Sequence, residues 1–199
     1  MPRLTVTPTF VAAMAVIGLL AGRHARETEV VDAPEVPSLP STPTPEEMSA
    51  WLDVVNDFDY PRYAMPWGWV LVAGVGAALI FALSIVAHEL GHLVVAKLAA
   101  ADVTGLTLHA AGGFVELAHD GRLSRAEFSL IVVAGPLVTA ILAAAGWVLM
   151  GVEWPDGPGG IVADDLVPFL VWTNALALVV NLLPIRGLDG WLLLRGAVR

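Results

Sequence analysis

Apolar residues fall into four long runs along this chain, and polar residues fill the stretches between them. A helix needs roughly 20 apolar residues to cross the hydrocarbon core of a bilayer, and the second, third and fourth runs meet that length while the first is short. We therefore predict an all-α membrane protein with about four transmembrane helices. The predicted helices occupy about 1–22, 66–97, 126–150 and 165–184.

The first apolar run has a second interpretation. Arg3 precedes an apolar stretch of the length found in secretory signal peptides. The small residues near Ala21 and Gly22 do not form a convincing cleavage site. We therefore favour a transmembrane helix and keep a cleaved signal peptide as the alternative.

Residues 23–65 are predicted to form an acidic, proline-rich extracytoplasmic loop. Six prolines between Pro34 and Pro61 exclude a long helix there. Nine acidic residues and no Lys or Arg lie between Glu27 and Tyr60. Residues 48–58 have the pattern of a short amphipathic helix.

Between the second and third runs, the hydrophobic pattern changes to a loose alternation typical of strands. Residues 103–109 and 113–117 both alternate, and a glycine-containing turn separates them. This pattern predicts a small β-hairpin at about 103–118. We expect residues 66–199 to form the functional core of the chain.

The composition supports a membrane protein and excludes several classes of site. Hydrophobic residues make up 57% of the chain and charged residues 15%, whereas soluble domains carry about 25% charge. The absence of cysteine excludes disulfides and thiolate metal sites. A net charge of −9 without a basic stripe argues against a nucleic-acid partner.

The positions of the basic residues predict the orientation in the membrane. If the N-terminus is cytoplasmic and all four runs cross, seven of the ten Lys and Arg residues lie on the cytoplasmic side, as the positive-inside rule favours. We therefore predict a multi-pass protein of the cell membrane with both termini in the cytoplasm. The seven are Arg3, Lys97, Arg122, Arg125, Arg186, Arg195 and Arg199.

The second apolar run contains the sequence His88-Glu89-Leu90-Gly91-His92, an HExxH motif. Residues four apart share one face of a helix, so His88 and His92 can bind one zinc ion together. Glu89 lies beside them and can accept a proton from the attacking water. Ionisable residues inside a membrane helix are costly and mark functional sites. The motif therefore predicts a hydrolytic zinc site.

A hydrolytic zinc site needs a third protein ligand, and the sequence offers two candidates. Glu116 lies in the predicted hairpin, downstream of the motif. Asp189 follows the fourth run, where Pro184 ends the helix and glycines at 187 and 190 permit an irregular backbone. The residue pattern alone leaves both open.

The combination of motifs resembles the site-2 proteases, a family of intramembrane zinc metalloproteases. It is most similar to the compact bacterial branch without a PDZ domain, over roughly residues 66–195. The residues that carry the resemblance are HELGH at 88–92, Gly112-Gly113, Ala126-Glu127-Phe128, Ala134-Gly135-Pro136, and the run from Asn181 through Pro184 to Asp189-Gly190.

The resemblance implies one zinc ion per chain, bound by His88, His92 and Asp189, with Glu89 as the catalytic base. It places Asn181, Gly112 and Gly113 at the substrate cleft. The implied substrate is a membrane-anchored protein, cut within or at the edge of the bilayer in regulated intramembrane proteolysis. Many relatives have a proline near Arg186 or Gly187 and a glycine at the position of Trp191, so the loop around Asp189 departs from the family pattern.

Three other functions stay open at this stage. The chain could be an inactive relative that binds membrane helices, although the intact Glu89 argues against this. It could be a metal transporter that uses the same ligands. It could also be a membrane-anchored protease with a cytosolic active site and Glu116 as the third ligand. The sequence also leaves a homodimer open.

Overall fold

A computed structural model describes residues 2–31, 38, 41–56, 62–110, 112–118 and 123–198. Within these residues, the chain forms six helices and five short strands. The strands are β1 (Arg3–Val6), β2 (Glu29–Val31), β3 (Arg62–Ala64), β4 (Val103–His109) and β5 (Gly112–Leu117). The helices are α1 (Pro8–Glu27), α2 (Pro45–Asn56), α3 (Trp67–Leu98), α4 (Arg125–Leu149), α5 (Pro158–Asn181) and α6 (Asp189–Val198).

Four of these helices, α1, α3, α4 and α5, are long and apolar enough to cross a membrane. The predicted helical class with about four spans is thereby confirmed. Two bounds differ from the prediction, because α5 begins before residue 165 and α1 continues past residue 22 to Glu27. α1 begins at Pro8 and α5 at Pro158, because proline suits the first turn of a helix, where its missing N–H is not needed.

Helices α1 and α3 pack closely through glycines. A Cβ atom at Gly74 would lie 2.7 Å from the carbonyl oxygen of Gly18, so the two backbones are nearly in contact at this crossing. Gly22 lies one turn further along α1 and also faces α3. Small residues allow this close approach in membrane helices, where packing rather than the hydrophobic effect holds helices together.

The predicted hairpin is present as β4 and β5, and it belongs to a sheet of three strands in the order β1-β4-β5. Strand β1 pairs in parallel with β4, from Arg3 opposite Gly105 to Val6 opposite Leu108. Gly112 begins β5 with a φ of +135°, a conformation that side chains disfavour. The N-terminal strand therefore lies on the same side of the molecule as the hairpin.

Residues 23–65, predicted as a loop, contain ordered structure. Strands β2 and β3 form a two-stranded antiparallel ribbon, and α2 covers most of the predicted amphipathic helix at 48–58. The ribbon buries Val30 and Met65 against the ends of α1, α3 and α5 in a small apolar core. This core holds together the ends of the three helices that lie opposite the hairpin.

After α5, a tight turn leads into α6. Leu182, Leu183 and Ile185 take part in its backbone hydrogen bonds, and Gly187 has a φ of +97°. The sequence indicated irregular backbone near Asp189, but in the structure Asp189 is the first residue of a helix. This turn brings the start of α6 back against α4.

Candidate metal centre

The HExxH motif lies on one face of α3, in the part of the helix that is nearest the hairpin. His88, Glu89 and His92 are all buried. The four-residue spacing places both imidazoles against α4, while Glu89 faces strand β5. A single stretch of helix therefore presents two nitrogen ligands and a carboxyl group.

Three side-chain donors converge beside α4. The Nε2 atoms of His88 and His92 are 3.2 Å apart, and the nearest oxygen of Asp189 lies 3.1 Å from the first and 3.5 Å from the second. Zinc binds nitrogen and oxygen at about 2.0–2.1 Å, so tetrahedral ligand atoms lie about 3.3 Å apart. The observed triangle has this size, and the three residues therefore fit a zinc ion.

The ring orientation of each histidine is fixed by a second hydrogen bond. Nδ1 of His88 donates to the hydroxyl of Thr139 at 2.7 Å, and that hydroxyl donates in turn to the Gly135 carbonyl at 3.2 Å. Nδ1 of His92 donates to the Ile131 carbonyl at 2.7 Å. Because both Nδ1 atoms carry protons, both Nε2 lone pairs point to the shared centre, as in other metal-binding histidines.

The turn before α6 fixes the position of Asp189. A Cβ atom at Gly190 would clash with the Leu182 carbonyl, so only glycine lets the start of α6 pack against the end of α5. The backbone N–H of Leu188 donates to Ile185 at 3.0 Å and closes the turn. The side chain of Asp189 is 13% exposed and points to the two histidines. The third donor is thus held by a compact turn.

Glu89 lies beside this centre and is almost fully buried, with 2% of its surface exposed. One of its carboxyl oxygens, Oε2, has no hydrogen-bond partner among the described residues. A Cβ atom at Gly113 would lie 2.7 Å from Cγ of Glu89, so strand β5 passes directly over this side chain. A buried acceptor without a partner next to a metal site is suited to accept a proton from a reactant.

Glu116, the other candidate ligand, lies elsewhere. It is exposed on β5, where one carboxyl oxygen accepts a hydrogen bond from Thr107 at 3.4 Å. Among the described residues, the group of donors able to hold a metal consists of His88, His92 and Asp189, without Glu116. The geometry therefore favours Asp189 as the third ligand.

The remaining histidines make other contacts. His109 packs against Phe114 in the hairpin, and His24 pairs with Asp165 at 3.7 Å near the far ends of α1 and α5. The predicted cleft residue Asn181 is the last residue of α5 and is half-buried. His119 lies outside the described residues.

Comparison with known proteins identifies the family that the motif region matches. The family model described as "Peptidase family M50" matches residues 76–163, a range that includes most of the motif helix, the hairpin and α4. Residues 76–163 have the sequence pattern of peptidase family M50. The resemblance to site-2 proteases that the motifs indicated is confirmed.

Several curated proteins are similar to this chain. Stage IV sporulation protein FB of Bacillus subtilis is 29% identical over 153 residues, which are 74% of this chain and 49% of that protein. Putative zinc metalloprotease Rip3 of Mycobacterium tuberculosis is 34% identical over 131 residues, which are 64% of this chain and 31% of that protein. The chain thus spans half or less of the length of these relatives.

A solved structure shows the same fold. The site-2 protease from Methanocaldococcus jannaschii matches 98% of this chain and 66% of its own, with a TM-score of 0.54 and 18% identity. Together with the family match over residues 76–163, the four apolar helices indicate a multi-pass membrane protein.

Two residues of α4 hold this site together, although the sequence predicted no role at the metal for either. Thr139 is a fully buried polar residue in an apolar helix, and such a position indicates a hydrogen-bonding role. Gly135 entered the sequence analysis only as part of the motif Ala134-Gly135-Pro136. In the structure its Cα faces the imidazoles, and a Cβ atom there would clash with Nε2 of His92 and lie 2.7 Å from Nε2 of His88.

Substitution of Gly135 by alanine is therefore expected to weaken zinc binding. The added methyl group would displace both imidazole nitrogens, and disturbance of ligand orientation typically costs about 10- to 100-fold in metal affinity. Competition with a calibrated chelator measures the zinc dissociation constant of the purified protein.

Gly68→Ala is the matched control, because a Cβ atom at Gly68 meets nothing within 4 Å. Both variants should fold with wild-type helix content by circular dichroism. Wild-type zinc affinity in Gly135→Ala would show that the imidazoles are not held against this glycine.

Proposed function

We propose that this chain is an intramembrane zinc metalloprotease that hydrolyses a peptide bond of a membrane-anchored protein. The observation that carries the proposal is the convergence of two histidines and an aspartate beside a buried glutamate, with the histidines and the glutamate on a helix long and apolar enough to span a bilayer. Three protein ligands leave a fourth position open, as in catalytic rather than structural zinc sites.

In this proposal His88, His92 and Asp189 hold one zinc ion. When bound, zinc supplies a Lewis acid that polarises the scissile carbonyl and lowers the pKa of water. Thr139 and the Ile131 carbonyl keep the imidazoles in the tautomer that offers Nε2. The relatives named as putative zinc metalloproteases support this choice of metal.

Glu89 is the proposed general base. Its unpartnered Oε2 accepts the proton of the attacking water, and the same carboxyl group then donates that proton to the leaving amine. Burial beneath strand β5 keeps bulk water from competing for this carboxyl group. Placement of Glu89 on the same helix as two of the ligands fixes its position relative to the metal.

The position of the motif along α3 supports cleavage within the membrane. His88 lies ten residues before the end of the helix at Leu98, which is about 15 Å at 1.5 Å per residue. The whole helix of 32 residues is about 46 Å long, and the hydrocarbon core is roughly 30 Å thick. If α3 is centred in the core, the site lies about 7 Å inside the boundary on the hairpin side.

The hairpin gives a surface for an unwound substrate. Strand β1 pairs with β4, while β5 is the other edge of the sheet and passes over Glu89. An extended substrate can add to that edge through main-chain hydrogen bonds. In this proposal Gly112 and Gly113 contact the substrate backbone, and Asn181 lies at the other wall of the cleft.

The orientation predicted from the basic residues places the hairpin, the metal centre and both termini on the cytoplasmic side. Pairing of β1 with β4 supports the N-terminal part of this prediction, since it puts Arg3 beside the hairpin. A substrate cut there would release its cytoplasmic part, as regulated proteolysis requires. The homodimer stays a prediction.

The proposal is tested by locating the cut. The protein is reconstituted in liposomes with a single-span test protein, and mass spectrometry identifies the new termini of the products. We expect the cut inside the apolar span or at its edge, in the half nearer the cytoplasm. The matched control substrate carries the same recognition sequence without the apolar flanks, in solution.

Cleavage of the soluble control at the same rate would contradict an intramembrane site and favour a membrane-anchored enzyme that acts on cytosolic proteins. Zinc uptake without any cleavage, even of several test substrates, would favour a metal transporter or an inactive helix-binding relative.

A further inference from the structure

An apolar groove runs between most of α1 and the first half of α3, and it opens at the ends of these helices that are remote from the metal centre. Its volume is about 870 Å³. Its floor is formed where Gly18, Gly22 and Gly74 bring the two backbones together, so no side chain from the floor fills the groove. The walls are apolar, with Ala15 among them.

The length of the groove corresponds to one leaflet of a bilayer. Its lining runs from Trp67 to Ala78 on α3, about 16 Å, and from Val11 to Glu27 on α1, about 24 Å with the charged end included. Half of a bilayer is about 15 Å for the hydrocarbon core alone and about 20–22 Å with the headgroups. A partner transmembrane helix would pack along about twice this length, whereas an acyl chain extends from the headgroup level to the bilayer midplane.

Charged residues surround the outer end of the groove. The guanidinium of Arg26 stacks 4.7 Å above the Trp67 ring and donates one hydrogen bond to the Met65 carbonyl. Nε of Arg23 pairs with Glu27 at 2.8 Å. Since a guanidinium carries five donors, both arginines keep donors for a further ligand. The charged residues that line the groove, two arginines and one glutamate, together carry a net charge of +1.

We propose that the groove binds an anionic phospholipid, with an acyl chain along the glycine floor and the phosphodiester at Arg23 and Arg26. The site has the three features that such a lipid requires. It has an apolar channel one leaflet long and planar guanidinium donors suited to phosphate oxygens. It also has a net positive charge, which an anionic headgroup would neutralise and a zwitterionic headgroup would not.

Native mass spectrometry of the detergent-purified protein tests this site. Phosphatidylglycerol and phosphatidylcholine with identical acyl chains are titrated against the protein, and the fraction carrying one bound lipid is measured. A net charge of one predicts about a fivefold preference for phosphatidylglycerol. Substitution of Arg23 and Arg26 by glutamine should remove the preference. Arg125→Gln should keep it, because Arg125 begins α4 on the hairpin side of the molecule.

A second pair of variants tests the channel. Ala15→Phe places a ring in the groove. Ala12→Phe places a ring at another exposed position of α1, outside the residues that line the groove. We expect the bound lipid to be lost only in Ala15→Phe. Equal binding of both lipids to the wild type, or an unchanged adduct in Ala15→Phe, would overturn the proposal. So would a photo-crosslinker at position 15 that captures polypeptide instead of lipid in membranes.

Discussion

Replacement of Glu89 by glutamine is expected to lower the cleavage rate by about 10²- to 10⁴-fold, the usual contribution of a general base. The amide has nearly the shape of the carboxyl group but cannot accept a proton from water. The zinc content should not change, because the group of donors that could hold the metal is His88, His92 and Asp189. The initial rate of cleavage of a single-span substrate in liposomes measures the effect, beside zinc content by elemental analysis.

Glu116→Gln is the matched control for this substitution. It makes the same chemical change at an exposed position on strand β5, so activity should stay within a few-fold of wild type. If Glu89→Gln still cleaved at the wild-type rate with full zinc content, another group would have to be the base. Loss of zinc in Glu89→Gln would instead show that this carboxyl group is needed to hold the metal.

The parts of the site that could be predicted from the sequence are those with a local signal. The HExxH spacing fixes the relation of His88, Glu89 and His92, because helix geometry alone places residues four apart on one face. The hairpin was predictable from alternation and glycine. The four spans followed from apolar length, although α1 and α5 begin at prolines where the local hydrophobicity is weaker.

The features that were missed depend on contacts between distant segments. Strand β1 has four exposed residues and exists because β4 offers a parallel edge about a hundred residues later. Thr139 and Gly135 are ordinary residues of an apolar helix until α3 packs beside them. At Gly135 the imidazole nitrogens occupy the space that a Cβ atom would fill, so glycine is required there. A single sequence cannot distinguish such a glycine from one that permits a kink.

The choice of third ligand shows the same limit. Residue types and order along the chain allow either Glu116 or Asp189, and the family resemblance rather than the residue pattern favoured Asp189. The structure supports that preference through the turn that Gly187 and Gly190 permit, which sets the start of α6 against the two histidines. Glu116 lies in β5, and its carboxyl group accepts a hydrogen bond from Thr107 in the neighbouring strand β4.

Replacement of Asp189 by alanine is accordingly expected to lower zinc affinity by more than about 100-fold. Four-ligand structural sites bind zinc with roughly 10–16 kcal/mol, so one ligand contributes about 3 kcal/mol. Without the carboxylate, two neutral imidazoles remain to hold a divalent cation in a buried site. Elemental analysis after dialysis against a weak chelator should show near-stoichiometric zinc in the wild type and little in the variant.

Glu116→Ala distinguishes the two candidate ligands in the same measurement. It removes a carboxylate from the same side of the molecule, yet it should retain wild-type zinc because its side chain faces Thr107. The opposite result would be zinc kept in Asp189→Ala and lost in Glu116→Ala. It would require the face of strand β5 that carries Glu116 to be turned towards the motif helix, and it would move the active site out of the membrane. Circular dichroism of both variants separates loss of a ligand from loss of the fold, since removal of one side chain at the first residue of α6 leaves the four long helices intact.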